Sequence, residues 1–212
     1  MYVIDTMESF IFIIEFLGTF AAAISGIRLA AAKQFDWFGG YVVGLATAIG
    51  GGTLRDLMID ATPFWMTKSI YIICTGIALV VVIIFKKYLV RLNNTWFIFD
   101  TLGLAFFTVA GIQKTLMYGF PFWVAIIMGC ITGAAGGVVR DVLINEEPLI
   151  FRKEVYALAS ILGGLIFHLL SWLNAGQAVC AVACFVSVVA IRVLAVKYHI
   201  SLPHLKAEDI EK

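Results

Sequence analysis

The sequence predicts an all-α integral membrane protein with seven transmembrane helices, arranged as two inverted three-helix repeats plus one C-terminal helix. Three observations predict it: the composition, the spacing of the apolar runs, and a motif that occurs twice. Of 212 residues, 62% are hydrophobic and only 14% charged, whereas a soluble domain carries roughly a quarter charged residues and about half apolar ones. Too little polar surface remains to coat a water-soluble globule, so apolar side chains must face a lipid bilayer. A net charge of +1 offers no basic patch for nucleic acid.

A helix needs about 20 mostly apolar residues to cross a bilayer core. Seven runs meet that length: 9–27, 35–59, 69–85, 95–115, 121–144, 155–172 and 177–196. The first follows Asp5 and Glu8, acids where a signal peptide needs bases, and is expected to remain as a mature helix carrying Glu15. The second and fifth are glycine-rich and carry Arg55-Asp56 and Arg140-Asp141. The third holds Cys74; the fourth holds Asp100 and, near its outer end, Lys114; the sixth holds His168, expected as a packing residue. Cys180 and Cys184 of the seventh share a face at i,i+4, but two thiols without a third ligand make a poor metal site. With Cys74 and Cys130 they are read as small packing residues. Trp37, Trp65, Trp96, Trp123 and Trp172 fall near span ends, as an aromatic belt requires.

Lys and Arg accumulate in cytoplasmic loops. One side of the set collects Arg28, Lys33, Lys86, Lys87, Arg91, Arg152, Lys153, Arg192, Lys197, Lys206 and Lys212, against Lys68 and Lys114 on the other. The expected orientation has the N-terminus outside and the C-terminus cytoplasmic.

Gly51-Gly52-Thr53-Leu54-Arg55-Asp56 recurs as Gly136-Gly137-Val138-Val139-Arg140-Asp141, an offset of 85 residues. The same offset matches Leu17-Gly18 to Leu102-Gly103, Gly26-Ile27 to Gly111-Ile112, Gly44 to Gly129, Pro63 to Pro148 and Tyr71 to Tyr156. Each unit holds three spans, so the second enters the membrane from the opposite face. The expected units are residues 1–85, 86–172, a seventh helix at 173–198 and a cytoplasmic tail at 199–212. Inverted repeats are a transporter architecture, with solute sites near the midplane on helices broken at corresponding positions.

Gly50-Gly51-Gly52 and Gly136-Gly137 are the candidate breaks. Each glycine costs about 1 kcal/mol relative to alanine inside a helix, and carbonyls freed at such a break are tolerated where they meet protein or water. A cation shedding part of its hydration can use them as ligands. The same residues also form a small-xxx-small stripe for close helix approach: Gly40, Gly44, Ala48 and Gly52, then Ala125, Gly129, Gly133 and Gly137. Both readings stay open. The adjacent charges cost at least ~2.5–3.5 kcal/mol each at membrane depth and demand partners. Sequence neighbours do not face one another on a helix, so each arginine is expected to find its acid elsewhere. The topology pairs Glu15 with Arg55 in the outer half and Asp100 with Arg140 in the inner half. Such clusters either fix helix register or border a hydrated pathway.

At these paired segments the chain resembles the prokaryotic trimeric intracellular cation (TRIC) channels, within a wider group of bacterial membrane proteins called glycine-transporter-like. The resemblance covers nearly the whole chain. It implies a homotrimer in the cell inner membrane, each protomer holding a pore lined by kinked second and fifth helices. That pore would pass monovalent cations, chiefly K⁺ and also Na⁺. Carried over here, the kinks are Gly50, Gly51, Gly52, Gly136 and Gly137, with Arg55, Asp56, Arg140 and Asp141 beside them; Ala135 departs from the glycine triplet. Lys114 is the candidate gate, by resemblance to a pore-blocking lysine of related eukaryotic channels, or else a snorkelling anchor.

The alternative function is a secondary transporter of a small amino acid such as glycine, its carboxylate received by half-helix N-termini and an arginine. Intramembrane arginines suit such a substrate better than a bare cation. An enzyme ranks below both, because the spans contain no HExxH, GxSxG or paired-aspartate arrangement. No cofactor is expected beyond a transported K⁺ or Na⁺.

Overall fold

The computed structural model describes residues 2–85, 95–152 and 155–201, with side chains from Glu8 onward. The orienting cations Lys86, Lys87, Arg91, Lys153, Lys206 and Lys212 lie outside the described residues, as does most of the expected tail.

Among the described residues seven long helices follow one another: α1 Tyr2–Ala32, α2 Trp37–Met58, α3 Ile70–Ile84, α4 Thr95–Met117, α5 Phe122–Leu143, α6 Ala157–Trp172 and α7 Gln177–Lys197. A single helical turn, Phe64–Thr67, follows α2, and a 3-10 turn, Leu149–Phe151, takes the equivalent place after α5. By length and apolar composition four helices among the described residues qualify as spans: Glu8–Ala32 within α1, α4, α5 and α7. The apolar α3 and α6 are shorter, at 15 and 16 residues. The 22-residue α2 is long enough, but six glycines with Arg55 and Asp56 dilute its hydropathy.

The centre is built from α1, α2, α4 and α5, each pairing along its length with two of the others. On one flank α3 lies against α1 and α2; on the other α6 packs on α5, and α7 packs on α6 and α4. Glycines set these distances. A Cβ on Gly44 would stand 2.5 Å from Ile27, and one on Gly129 2.6 Å from Ile112, the same contact repeated 85 residues on. Gly18 and Gly103 likewise let α1 and α4 cross closely. The flanking helices present apolar side chains outward, including Ile73, Ile77, Val80 and Ile84 on α3, Leu165 and Leu169 on α6, and Val179, Val182 and Val186 on α7. In water a continuous surface of this kind drives association; against lipid it is the expected face. Trp37, Trp123 and Trp172 are exposed at helix ends, and His168 sits at the exposed surface with its ring beside Phe122.

Both central helices α2 and α5 end in the same way. Asp60 and Asn145 adopt left-handed backbone, φ 56° in each, a conformation that Asn and Asp tolerate better than most residues. The following amides, of Ala61 and Glu146, donate back to the carbonyls of Asp56 and Asp141 at 2.8 Å, while the Asp60 and Asn145 amides reach Leu57 and Val142. This is the six-to-one, five-to-two pattern of a Schellman cap. It turns the chain sharply beneath the charged residues and brings the next loop over them.

Candidate functional site: two buried charge clusters

The cap explains where Asp56 and Asp141 point. Asp56 Oδ2 accepts a hydrogen bond from the Phe64 amide at 2.8 Å, and Asp141 Oδ2 accepts one from the Leu149 amide at 3.1 Å. Each aspartate therefore ties the loop that follows its helix. Its other oxygen faces arginine: Arg55 Nε donates to Asp56 Oδ1, and Arg140 Nε to Asp141 Oδ1, both at 2.8 Å.

The same guanidinium groups reach the first helix of their own unit. Arg55 Nη2 donates to Glu15 Oε1 at 2.7 Å, while Arg140 Nη1 pairs with Asp100 Oδ1 and also donates to Ser25 Oγ at 2.9 Å. A tyrosine completes each cluster, Tyr71 donating to Glu15 Oε2 at 3.1 Å and Tyr156 to Asp100 Oδ1 at 3.4 Å. The structure thus brings Glu15, Arg55 and Asp56 together, and Asp100, Arg140 and Asp141 together. It corrects one expectation. Each arginine bonds its sequence neighbour as well as the distant acid, because a long guanidinium stem curls back to a short aspartate one position on.

A further cation enters each cluster. Lys114 Nζ lies 2.9 Å from Asp56 Oδ1, and Arg192 Nη2 lies 3.6 Å from Asp100 Oδ2. Among the described residues, two cations and two carboxylates make either cluster formally neutral, which offsets part of the cost of burying ions where water is scarce. Arg192, which the sequence places among cytoplasmic loop charges, is fully buried within α7. A lone arginine inside the last apolar run is the signal that it belongs to the interior. For Tyr71 and Tyr156 the signal is their match at the repeat offset.

The glycines do something other than free carbonyls. Both α2 and α5 are continuous helices through Gly50, Gly51, Gly52, Gly136 and Gly137, so backbone hydrogen bonding there is not interrupted. What glycine supplies is proximity. A Cβ on Gly51 would overlap the Thr132 carbonyl oxygen, and a Cβ on Gly136 would overlap that of Thr47. Gly50 lies against Gly136, Gly52 against Phe64, and Gly137 against the Tyr156 hydroxyl. The two helices meet backbone to backbone, and the packing member of the two sequence readings describes this conformation. Thr47 and Thr132 each spend a hydroxyl on the carbonyl four residues back, a bond that favours bending of helices.

The Glu15–Arg55 cluster opens to space. A cavity of about 340 Å³ is lined by Glu15, Phe64, Lys68, Tyr71, Lys114 and Tyr118, among others. At the other end of the molecule Lys33, at the end of α1, reaches Glu146 after α5 at 2.5 Å, and Arg152 Nη2 stands 3.3 Å from the same carboxylate. The hydrogen bond from Lys33, and then its charge, hold the Glu146 carboxyl below the usual range. A folded-state pKa lowered in this way gives stability that is present above the unfolded value and lost as pH falls through the folded one. Acidification below the ordinary glutamate range is therefore expected to lower the thermal midpoint slightly in low salt, and less in high salt. Glu146→Gln is expected to remove that slope. A pH series of melting curves in detergent checks it, and an unchanged slope in Glu146→Gln would assign the effect elsewhere.

These features define a class: a helical membrane protein that holds buried charged residues inside its helix bundle, in two clusters related by one offset. The chain belongs to the family described as Glycine transporter, which matches residues 12–87 and again 97–172. It is 38% identical to a UPF0126 membrane protein of Vibrio cholerae serotype O1, over 92% of this chain and 82% of the relative. It is 34% identical to the UPF0126 inner membrane protein YadS of Escherichia coli strain K12, over 92% and 96%. Among solved structures, the TRIC trimeric intracellular cation channel orthologue from Rhodobacter sphaeroides superposes with a TM-score of 0.85 at 29% identity, covering 90% of this chain and 99% of that one. The resemblance read from the paired motifs thus extends through the fold.

Proposed function

We propose that the chain is a cation channel of the bacterial inner membrane, assembled as a homotrimer with one pathway in each protomer. Likeness to a trimeric cation channel at 29% identity along almost the whole chain supports both the activity and the assembly. The observation that carries the reading within this chain is the 340 Å³ cavity running down to the Glu15–Arg55–Asp56–Lys114 cluster. Intramembrane arginine looks hostile to cations, but Arg55 spends Nε and Nη2 on two carboxylates. A cation in the cavity then meets the Glu15 carboxylate of a formally neutral cluster, not an isolated positive charge.

Seven crossings in two inverted repeats, 1–85 and 86–172, with a seventh helix at 173–198, are part of the proposal. The family match at two segments 85 residues apart supports them, as does recurrence of the arginine–carboxylate bonds at that offset. The N-terminus would lie outside and the C-terminus in the cytoplasm. The pathway runs between α2 and α5, whose glycine seam must part for K⁺ or Na⁺ to pass, and Lys114 gates its outer end. No cofactor or enzymatic step enters this scheme.

A second reading, uptake of a small amino acid, is favoured by the family's description and by the lysines facing the cavity. Purified protein in planar bilayers is expected to give unitary K⁺ currents, with no saturable glycine uptake in parallel proteoliposomes. Coupled uptake without unitary currents would overturn the channel reading in favour of the transporter.

A further inference from the structure

The two halves repeat the bonds of Arg55 and Arg140 to their carboxylates, but a different second cation joins each cluster, and in the inner half it comes from α7. In the outer half Phe12, Glu15 and Tyr71 line the open cavity, and the cation over the Phe12 ring is the exposed Lys68, at 4.3 Å. Their inner counterparts at the repeat offset are Phe97, Asp100 and Tyr156. All three are touched by a single side chain that the first half does not possess. The Arg192 guanidinium lies 5.0 Å from the Phe97 ring and 4.8 Å from the Tyr156 ring, with Nη2 3.6 Å from Asp100 Oδ2. Its Nη1 donates to the Val155 carbonyl at 3.4 Å, and the residue is fully buried.

We infer that Arg192 is the plug of the inner half: its guanidinium fills the counterpart of the outer cavity and must leave the Phe97 and Tyr156 rings before a cation can pass. This rests on the channel reading for its consequence, though not for its geometry. Planar guanidinium groups stack on aromatic faces, and they do so most strongly where water is excluded. Arg192 also completes the charge balance of Asp100 and Asp141 against Arg140. While it stays, the formal charges of Asp100 and Asp141 are balanced by Arg140 and Arg192. When α7 withdraws it, Asp100 becomes a cation ligand. The seventh helix, which stands outside the repeat, thereby makes a pseudo-symmetric pathway asymmetric, open outside and shut inside.

The test uses the full chain with Cys74, Cys130, Cys180 and Cys184 replaced by alanine. Leu149→Cys and Phe64→Cys then report the inner and outer counterparts, since Phe64 lines the outer cavity. A membrane-impermeant cationic thiosulfonate is applied from either face. With Arg192 present, the cysteine at 64 is expected to react about tenfold faster than the one at 149, the order expected of a desolvated cation–π lock. Arg192→Ala is expected to remove most of that difference and to raise cation flux several-fold in the cysteine-intact protein. Equal rates at the two positions with Arg192 in place would overturn the plug without any Arg192 variant. So would an unchanged slow rate at 149 in an Arg192→Ala or Arg192→Gln protein that elutes and melts like its parent. Absence of cation current from the wild-type chain would defeat the channel reading, while the reactivity comparison would still decide the plug.

Discussion

Gly51→Ala is expected to destabilise the protein by about 3 kcal/mol, the upper end of what overpacking a tight interior costs. The reason is the identity of the neighbour. The new Cβ would overlap the Thr132 carbonyl oxygen and stand 2.9 Å from its carbon. Those are backbone atoms of a facing helix, and no rotamer change moves them aside. Gly136→Ala meets the Thr47 carbonyl in the same way, and the Gly51 amide lies 3.7 Å from that Cβ. Two substitutions at one seam are not independent. Once α2 and α5 have parted for the first methyl, the second costs less, so the double variant is expected to lose less than the sum of the singles. Gly76, inside α3 with nothing within 4 Å, is the control: alanine there is expected to be neutral or to gain up to about 1 kcal/mol from helix propensity. Thermal midpoints and equilibrium unfolding in mixed micelles check all four proteins. A Gly51→Ala variant as stable as the parent would mean that α2 and α5 do not meet backbone to backbone.

That seam shows where reading a sequence succeeds and where it stops. The offset of 85 is visible in the residues, and with it the matching of Gly51 to Gly136 and Arg55 to Arg140. The succession of apolar runs points to an all-helical membrane protein. Consecutive glycines, however, carry two meanings, a weak helix or a close approach, and only the position of the Thr47 and Thr132 carbonyls separates them. The acid partners Glu15 and Asp100 follow from membrane depth, because depth is fixed by counting along a helix. The bond between Arg55 and Asp56 does not, since it depends on how a guanidinium folds over its own helix. Asp56 as a staple for the Phe64 amide is also beyond reach, because it requires knowing that Asp60 turns left-handed. Lys114 is recognisable as a cation near a helix end, but its partner lies on α2, across a helix packing that spacing does not encode. Arg192 escapes for a related reason: charge near the end of an apolar run reads as loop charge, while the helix continues to Lys197.

Arg140→Met is expected to cost about 3–5 kcal/mol, the penalty for removing one partner of a buried ion pair. Arg140 ties α5 to α4 through Asp100 and to α1 through Ser25, besides its own neighbour Asp141. Methionine keeps much of the stem volume, so the loss reports charge and hydrogen bonding more than packing. With Arg140 gone, two carboxylates stand against Arg192, which lies beside Asp100, and by formal count one negative charge of the cluster is left uncompensated. Adding Asp100→Leu restores neutrality, Arg192 against Asp141, and is expected to return a large part of the stability. The two losses would then be strongly non-additive, as they should be for groups in direct contact. Equilibrium unfolding of the single and double variants in mixed micelles measures this. Arg55→Met follows the same logic in the outer half but with a smaller loss, because Lys114 at the cavity edge is partly exposed and water from the cavity can solvate Glu15. The comparison separates the two roles considered for these charges. Clusters that only fix helix register would give equal losses in both halves, whereas an outer cluster bordering water and an inner one sealed from it would give a larger loss for Arg140 than for Arg55.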